Sequence, residues 1–212
     1  MEIDFEDAAA SAAATLKAAR MDGEERPEPR LVCKRLGVRL ELVAPHVLRG
    51  GHSARYSVVG DRIIRRRGLR PSWDAFLLGH ELGHRYRRLA GRPHDDQEEA
   101  WCNAFAGALL VPSETLFYRW HRGHDLGDLI EAYPNVAPTC LALRVGEARL
   151  ADTIVVQGRQ PRYVRAGVAP SPEMIDVAAE AARHGRATRA GVAKAWRMID
   201  GPTRAAVVAD VG

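Results

Sequence analysis

The chain has 212 residues, a net charge of +4 and three cysteines, and these numbers exclude several classes of protein. A chain of this length can bury a core without disulfide support. Its cysteines, Cys33, Cys102 and Cys140, are far apart and form no C-x-x-C pair, so neither a disulfide framework nor a cysteine zinc site is expected. The acidic N-terminus and the lack of an apolar run of bilayer length predict a cytoplasmic protein without membrane association.

The positive charge comes almost entirely from arginine, because Lys17, Lys34 and Lys194 are the only lysines. So small an excess is weak support for nucleic-acid binding, and we expect no direct contact with nucleic acid. The one dense cluster lies between Arg62 and Arg70. It is interpreted either as the solvated end of a hairpin or as a docking surface for an acidic partner.

The first third of the chain is predicted to form two helices and a small sheet. Alanine-rich residues 4–20 have helical spacing, and a short helix follows over residues 30–36. Alternating segments at residues 38–43, 54–59 and 62–66 predict three strands, the last two joined by a Gly60–Asp61 turn. We expect them to make a small antiparallel sheet.

The rest of the chain is predicted to be mostly helical, which gives an α+β fold class. One helix begins at Pro71 and ends near Ala90, and a second begins at Asp95 and ends near Val111. Further helices are expected at residues 113–120, 126–132, 139–147, 172–183 and 189–198, and two short strands at residues 153–156 and 162–165. The predicted domains are residues 1–137 and a C-terminal segment of unknown role, residues 138–212.

Two histidines interrupt the apolar pattern of the first long helix. His80 and His84 lie four residues apart, so their imidazoles share one face and can converge on a point. Glu81 lies beside the first histidine, where its carboxylate can accept a proton from water bound to the same ion. This is the H-E-x-x-H arrangement of zinc peptidases. The alternative interpretation is a pair of hydrogen-bonded core histidines beside a surface glutamate.

Zinc needs a third protein ligand, and the next helix offers Glu98 and Glu99. Glu98 is expected to complete a capping box with Asp95. Glu99 shares a face with Asn103, and that face is expected to enter the core, so Glu99 is the favoured ligand and Glu98 the alternative. Replacing Glu98 is expected to cost only a helix cap, about 1 kcal/mol.

Other polar residues are candidates for supporting roles. Asn103 can hydrogen-bond a metal ligand. A peptidase also requires a donor to the oxyanion. The candidates for that donor are His94, Tyr118, His121, His124 and Tyr133. The histidine pair His121 and His124 has no accompanying carboxylate helix and is not predicted to be a second metal site.

The segments FLLGHELGHRY and EEAWCNAFAGALLVP together resemble the ImmA/IrrE-type metallopeptidases. The resemblance covers roughly residues 30–145. It implies a zincin-like metallopeptidase core, Zn²⁺ on His80, His84 and Glu99, and Glu81 as general base. It also implies an endopeptidase that cleaves a helix-turn-helix repressor in a bacterial, phage or mobile-element switch.

Two alternatives remain open from the sequence. The first is a non-catalytic zinc-binding sensor or interaction module in which Glu81 has no chemical role. The second is a DNA-binding regulator that uses the arginine-rich turn or the C-terminal helices, although a clear helix-turn-helix signature is lacking.

For the peptidase, the hairpin over residues 54–66 is expected to line the substrate groove. Four arginines are expected at its rim. They are Arg65, Arg66, Arg67 and Arg70.

Overall fold

The structure is a computed structural model of the whole chain, and it describes residues 3–48, 52–157, 160–165, 171–184, 186–189, 193–198 and 204–209. The fold class is α+β and mostly helical, as predicted. The chain divides into two compact units, Met1–Thr115 and Leu116–Gly212. The domain boundary predicted at residue 137 stays a prediction.

Four helices form the bulk of the first unit. They are α1 (Phe5–Ala18), α2 (Pro29–Arg35), α3 (Pro71–Leu89) and α4 (Glu98–Leu110). The Asp4 side chain caps α1 by accepting a hydrogen bond from the Asp7 N–H at 2.8 Å. The small side chains of Ala8 and Ala12 are fully buried and join α1 to the core around α3 and α4.

A three-stranded sheet precedes α3. It consists of β1 (Arg39–Val43), β2 (Ala54–Ser57) and β3 (Arg62–Arg66), in the order β1-β3-β2. The β2–β3 hairpin is antiparallel, as expected, and its turn uses positive φ angles at Gly60 and Asp61. However, β1 pairs with β3 in parallel, so the predicted antiparallel sheet is wrong and the sheet is mixed. Alternation along a strand shows which side chains are buried and carries no information about strand direction.

Arg65 on the central strand β3 is buried, contrary to its predicted place on an exposed rim. Its guanidinium lies 2.5 Å from Asp74 on α3, and Arg30 binds the other oxygen of the same carboxylate at 2.8 Å. Because both Arg65 and Asp74 are withdrawn from water, the pair fixes the sheet against α3. Arg65 is therefore a structural residue.

The long helices α3 and α4 pack closely because glycines replace larger side chains at their contact. A Cβ atom on Gly79 would lie 3.2 Å from the backbone Cα of Ala106. A Cβ atom on Gly83 would lie 3.2 Å from both Cys102 and Phe105. The two glycines therefore allow α4 to lie against the face of α3 that carries the histidines.

Helix α5 (Ser113–His121) begins at the end of the first unit and continues into the second. The described part of the second unit also contains three further helices and a sheet. The helices are α6 (Leu126–Ala132), α7 (Pro138–Glu147) and α8 (Pro172–His184). The strands are β4 (Thr153–Gln157), β5 (Gln160–Arg165), β6 (Arg186–Arg189), β7 (Ala193–Met198) and β8 (Arg204–Ala209). All pairings in this sheet are antiparallel, in the order β5-β4-β8-β7-β6.

The helix predicted over residues 189–198 is wrong. Residues 193–198 form β7, which pairs with β6 on one side and β8 on the other. Alanine, lysine and arginine favour helices as isolated residues, but pairing on both edges outweighs that preference. Residues 190–192 of the same prediction lie outside the described residues.

Among the described helices, none combines the length and the apolar character needed to cross a bilayer.

We predict that Gly79→Val destabilises the protein by about 1–3 kcal/mol, because the added methyl groups would meet the Ala106 backbone, which cannot move aside like a side chain. Urea denaturation measures the change. Arg88→Val, at an exposed position of the same helix, is the control and should cost no more than about 0.7 kcal/mol from helix propensity. Equal losses in the two variants would show that the helix contact is not tight.

Candidate metal centre

His80 and His84 meet at their Nε2 atoms, as their helical spacing predicts. The two nitrogens lie 3.0 Å apart, and His80 is buried whereas His84 is partly exposed. Burial and the neighbouring His84 lower the pKa of His80, which favours the neutral imidazole that a metal requires. The pair therefore presents two nitrogen ligands to one point.

Glu99 on α4 supplies a carboxylate to the same point. Its two oxygens lie 3.3 Å from Nε2 of His80 and 3.4 Å from Nε2 of His84. Bonds of about 2.0–2.1 Å to one ion at tetrahedral angles place ligand atoms roughly 3.3–3.4 Å apart, so both histidine–carboxylate distances suit zinc, while the 3.0 Å between the two Nε2 atoms is somewhat shorter. The three residues form one of the two groups of potential metal ligands within the described part of the chain.

Glu99 and Asn103 are exposed on α4, contrary to the prediction that they enter the core, whereas Cys102 and Ala106 beside them are buried. The Glu99 side chain is 73% exposed, and Asn103 one turn later is also exposed. The predicted residue therefore reaches the histidines from the solvent side. This placement leaves the cluster accessible to a substrate, which a ligand buried in the core would not.

Hydrogen bonds fix both histidine rings. His80 Nδ1 lies 2.9 Å from Asn103 Oδ1, and His84 Nδ1 lies 2.6 Å from Glu98 Oε1. A carboxylate only accepts, so Nδ1 of His84 carries the proton and its Nε2 lone pair is free for a metal; the Asn103 oxygen favours the same tautomer in His80. Asn103 therefore holds the His80 ring, and its role at a metal site stays a prediction.

The capping role predicted for Glu98 is wrong. The side chain is buried and contacts His84 and His94, whereas Asp95 accepts a hydrogen bond from the Gln97 N–H and pairs with Arg87. Burial raises the pKa of Glu98, but the two histidine contacts outweigh it and leave the pKa below its usual value. Sequence analysis missed this role because the capping pattern offered a simpler explanation of the same residue.

Glu81 is buried and contacts strand β2 of the three-stranded sheet. Its carboxylate accepts the backbone N–H of Tyr56 at 2.5 Å, and it interacts electrostatically with His84 and Glu99. Burial raises the pKa of Glu81, although a cation bound nearby would act in the opposite direction. Glu81 thus contacts strand β2 and interacts with two of the potential metal ligands.

Strand β2 is held in place beside Glu81 by a polar network. The Tyr56 hydroxyl donates to Asp61 at 3.0 Å, and Arg85, directly after His84, binds both oxygens of Asp61. Asp61 belongs to the hairpin turn and Arg85 belongs to α3. The network therefore fixes the position of the hairpin against α3.

The outer edge of β2 carries backbone groups that β3 does not use. The Arg66 N–H donates to Ser53 O, and the Tyr56 N–H points away from β3 toward Glu81. Along an antiparallel strand, residues whose N–H and C=O groups face the partner strand alternate with residues whose groups face away from it. The N–H and C=O groups of Ala54 and Tyr56 therefore face outward, away from β3. The hairpin edge expected to line a groove thus lies beside Glu81.

The remaining oxyanion candidates fall in two places. His94 contacts Glu98 and lies behind His84. Tyr118 and His121 lie on α5, His124 follows that helix, and Tyr133 ends α6, so all four belong to the second unit. Tyr133 is buried beneath the Arg119 guanidinium, and the role of all four residues stays a prediction.

A second group of potential ligands consists of His84, Glu98 and Cys102. Burial raises the pKa of the Cys102 thiol far above its usual value, and Glu98 is already hydrogen-bonded to His84. The 2.6 Å between Glu98 Oε1 and His84 Nδ1 is a hydrogen-bond distance and is shorter than the roughly 3.3 Å that separates two ligand atoms of one tetrahedral zinc. The group containing Glu99 is therefore the better metal site.

Comparisons with known proteins bear on the fold alone. No family model matches the chain, and no curated protein matches it. A solved structure described as a Mycobacterium tuberculosis transcriptional regulator is similar, with a TM-score of 0.63 over 97% of this chain and 76% of that chain. The sequence identity is 14%, so the similarity concerns the fold.

We predict that the purified protein binds one zinc per chain and that His80→Ala and Glu99→Ala each abolish stoichiometric binding. Each substitution removes a ligand, so the loss of affinity should exceed the roughly 10–100-fold loss that follows removal of a supporting partner. Metal analysis after dialysis measures the zinc content. Glu24→Ala, which removes an exposed carboxylate elsewhere, is the control, and full zinc content in either ligand variant would place the site elsewhere.

Proposed function

We propose that the chain is a zinc-dependent endopeptidase with a zincin-like core. The observation that carries the proposal is the convergence of His80, His84 and Glu99 on one point, with the buried Glu81 directly after His80 on the same helix. A purely structural zinc site closes its coordination with four protein ligands, whereas a catalytic site leaves one position open. The three converging groups and the exposed side of the cluster are consistent with an open position.

The metal would be held by His80, His84 and Glu99. When bound, zinc polarises the scissile carbonyl and makes a water molecule more acidic. Glu81 accepts the proton of the attacking water and then delivers it to the nitrogen of the leaving amine. Asn103 and Glu98 keep the two imidazoles in the tautomer that leaves Nε2 free.

The substrate peptide is proposed to bind as an extended strand along the outer edge of β2. The Tyr56 N–H donates to Glu81, but the outward-facing Tyr56 carbonyl and the outward-facing backbone groups of Ala54 can pair with an added strand, and this edge lies beside Glu81. Pairing through the main chain would hold a peptide bond near the metal without demanding a particular sequence. Specificity then comes from side-chain contacts outside the reacting bond.

The proposed substrate is a helix-turn-helix repressor or a similar regulatory protein, cleaved in the cytoplasm as part of an induction switch. This part of the proposal rests on the resemblance of the two motif segments to the ImmA/IrrE-type peptidases. The description of the similar solved structure as a transcriptional regulator agrees with a role in transcription. The same description also fits the alternative of a regulator that binds DNA directly.

A non-catalytic zinc sensor is the second candidate, and one contact favours it. Glu81 accepts the Tyr56 N–H at 2.5 Å, so one of its oxygens already has a structural partner. In a sensor, Glu81 would have only this structural role, which is to hold strand β2 through the Tyr56 N–H. In a peptidase, the second oxygen would receive the proton from water.

We predict that Glu81→Gln lowers the turnover of a cleaved substrate by about 10²–10⁴-fold and leaves zinc content and folding unchanged. The glutamine oxygen can still accept the Tyr56 N–H, but the amide cannot take a proton from water. Cleavage of candidate repressors, followed by mass spectrometry, measures turnover. A variant as active as the wild type would remove Glu81 from the chemistry, and a wild-type chain that binds zinc but cleaves none of the candidates would favour the sensor.

We also predict that reversing Arg66, Arg67 and Arg70 to glutamate slows cleavage far more at low salt than at high salt. These arginines lie at the end of β3 and just after it, so they can attract an acidic segment of a substrate bound at the hairpin. Initial rates measured at two ionic strengths test the effect.

The matched control for this charge reversal makes the same change in net charge elsewhere. It reverses Lys17, Arg20 and Lys34, which are exposed on or near α1 and α2. If both triple variants respond to salt alike, the effect belongs to overall charge and the arginines have no specific role in substrate capture.

A further inference from the structure

A buried arginine holds the loop between α3 and α4 in a defined position. Arg87 donates from one nitrogen to the Pro93 carbonyl at 2.7 Å and to the Asp95 carboxylate at 2.9 Å. Its guanidinium also lies 5.5 Å from the centre of the Trp101 ring on α4. The loop is therefore fixed on both sides of His94.

From this fixed position, His94 contacts the buried carboxylate of Glu98. Nδ1 of His94 is hydrogen-bonded to Oε2, and the other oxygen, Oε1, lies 2.6 Å from Nδ1 of His84. The carboxylate thus bridges two imidazoles, of which one belongs to the metal cluster and the other is 76% exposed. A chain of contacts runs from the protein surface to a metal ligand.

We propose that His94 is a positioning residue for the metal site, acting through Glu98 to hold His84 in the orientation and tautomer that zinc requires. The proposal rests on the metal-binding part of the proposed function and is independent of proteolysis. His94 is four residues before Glu98, and neither of the two groups of potential metal ligands among the described residues includes it.

The physical basis is the satisfaction of a buried carboxylate. With both oxygens occupied, Glu98 cannot rotate without losing a hydrogen bond in a site withdrawn from water. Without His94, only the contact to His84 restrains the carboxylate, and the imidazole of His84 gains freedom to turn. Part of the affinity for zinc is then lost in restoring the required geometry.

The test compares His94→Ala with His94→Asn, whose side-chain amide nitrogen can occupy the place of Nδ1 and donate to Glu98. We expect His94→Ala to weaken zinc binding by about 3–10-fold, less than direct loss of a supporting partner, and His94→Asn to restore most of the affinity. Competition with a chelator measures affinity. His46→Ala removes an exposed histidine elsewhere in the first unit and should have no effect.

A cycle with Glu98→Ala separates positioning from a general loss of structure. If His94 acts through Glu98, His94→Ala should change zinc affinity little once the Glu98 side chain has already been removed. Undiminished affinity in His94→Ala, equal weakening in the alanine and asparagine variants, or an additive double variant would each overturn the proposal.

A readout in the zinc-free protein distinguishes failure of this proposal from failure of the proposed function. Nitrogen-15 NMR of the imidazoles should show the proton of His84 on Nδ1 in the wild type and in His94→Asn, and a mixture of tautomers in His94→Ala. A chain that binds no zinc but shows this pattern would contradict the metal site and retain the positioning contact. The same tautomer in all three proteins would contradict the positioning role.

Discussion

The close packing of α3 against α4 is the constraint on which the rest of the site depends. Where Gly79 meets Ala106 there is no room for a Cβ atom, so the two helices lie nearer than larger residues would permit. This approach brings the carboxylate of Glu99 within 3.4 Å of two imidazoles on the neighbouring helix. Wider spacing would move the carboxylate of Glu99 away and leave only a histidine pair.

Glu98 and Glu99, the first two residues of α4, contact different nitrogens of His84. Glu99 extends along the exposed side toward the Nε2 atoms, whereas Glu98 is buried and contacts His84 from behind at Nδ1. Successive residues on a helix point about 100° apart, so one turn can contact both nitrogens of one imidazole. Asn103, one turn after Glu99, contacts Nδ1 of His80 in the same way that Glu98 contacts Nδ1 of His84.

The sequence predicted the helices around the motif and the histidine convergence because both depend on local spacing. It did not predict the roles of Glu98 and Arg65, whose partners lie on other elements and whose local patterns suggested a cap and a solvated turn. The parallel pairing of β1 and the strand at Ala193–Met198 were missed for a related reason. Strand direction and pairing depend on tertiary contacts, which propensity and alternation do not encode.

X-ray absorption spectroscopy of the zinc-loaded protein tests the central claim most directly, because it identifies the atoms bound to the metal. A site built from His80, His84 and Glu99 predicts a first shell of nitrogen and oxygen at about 2.0–2.1 Å, with imidazole scattering and no sulfur. A sulfur neighbour at about 2.3 Å would show that the ion binds Cys102 in the buried group instead, and would contradict the account.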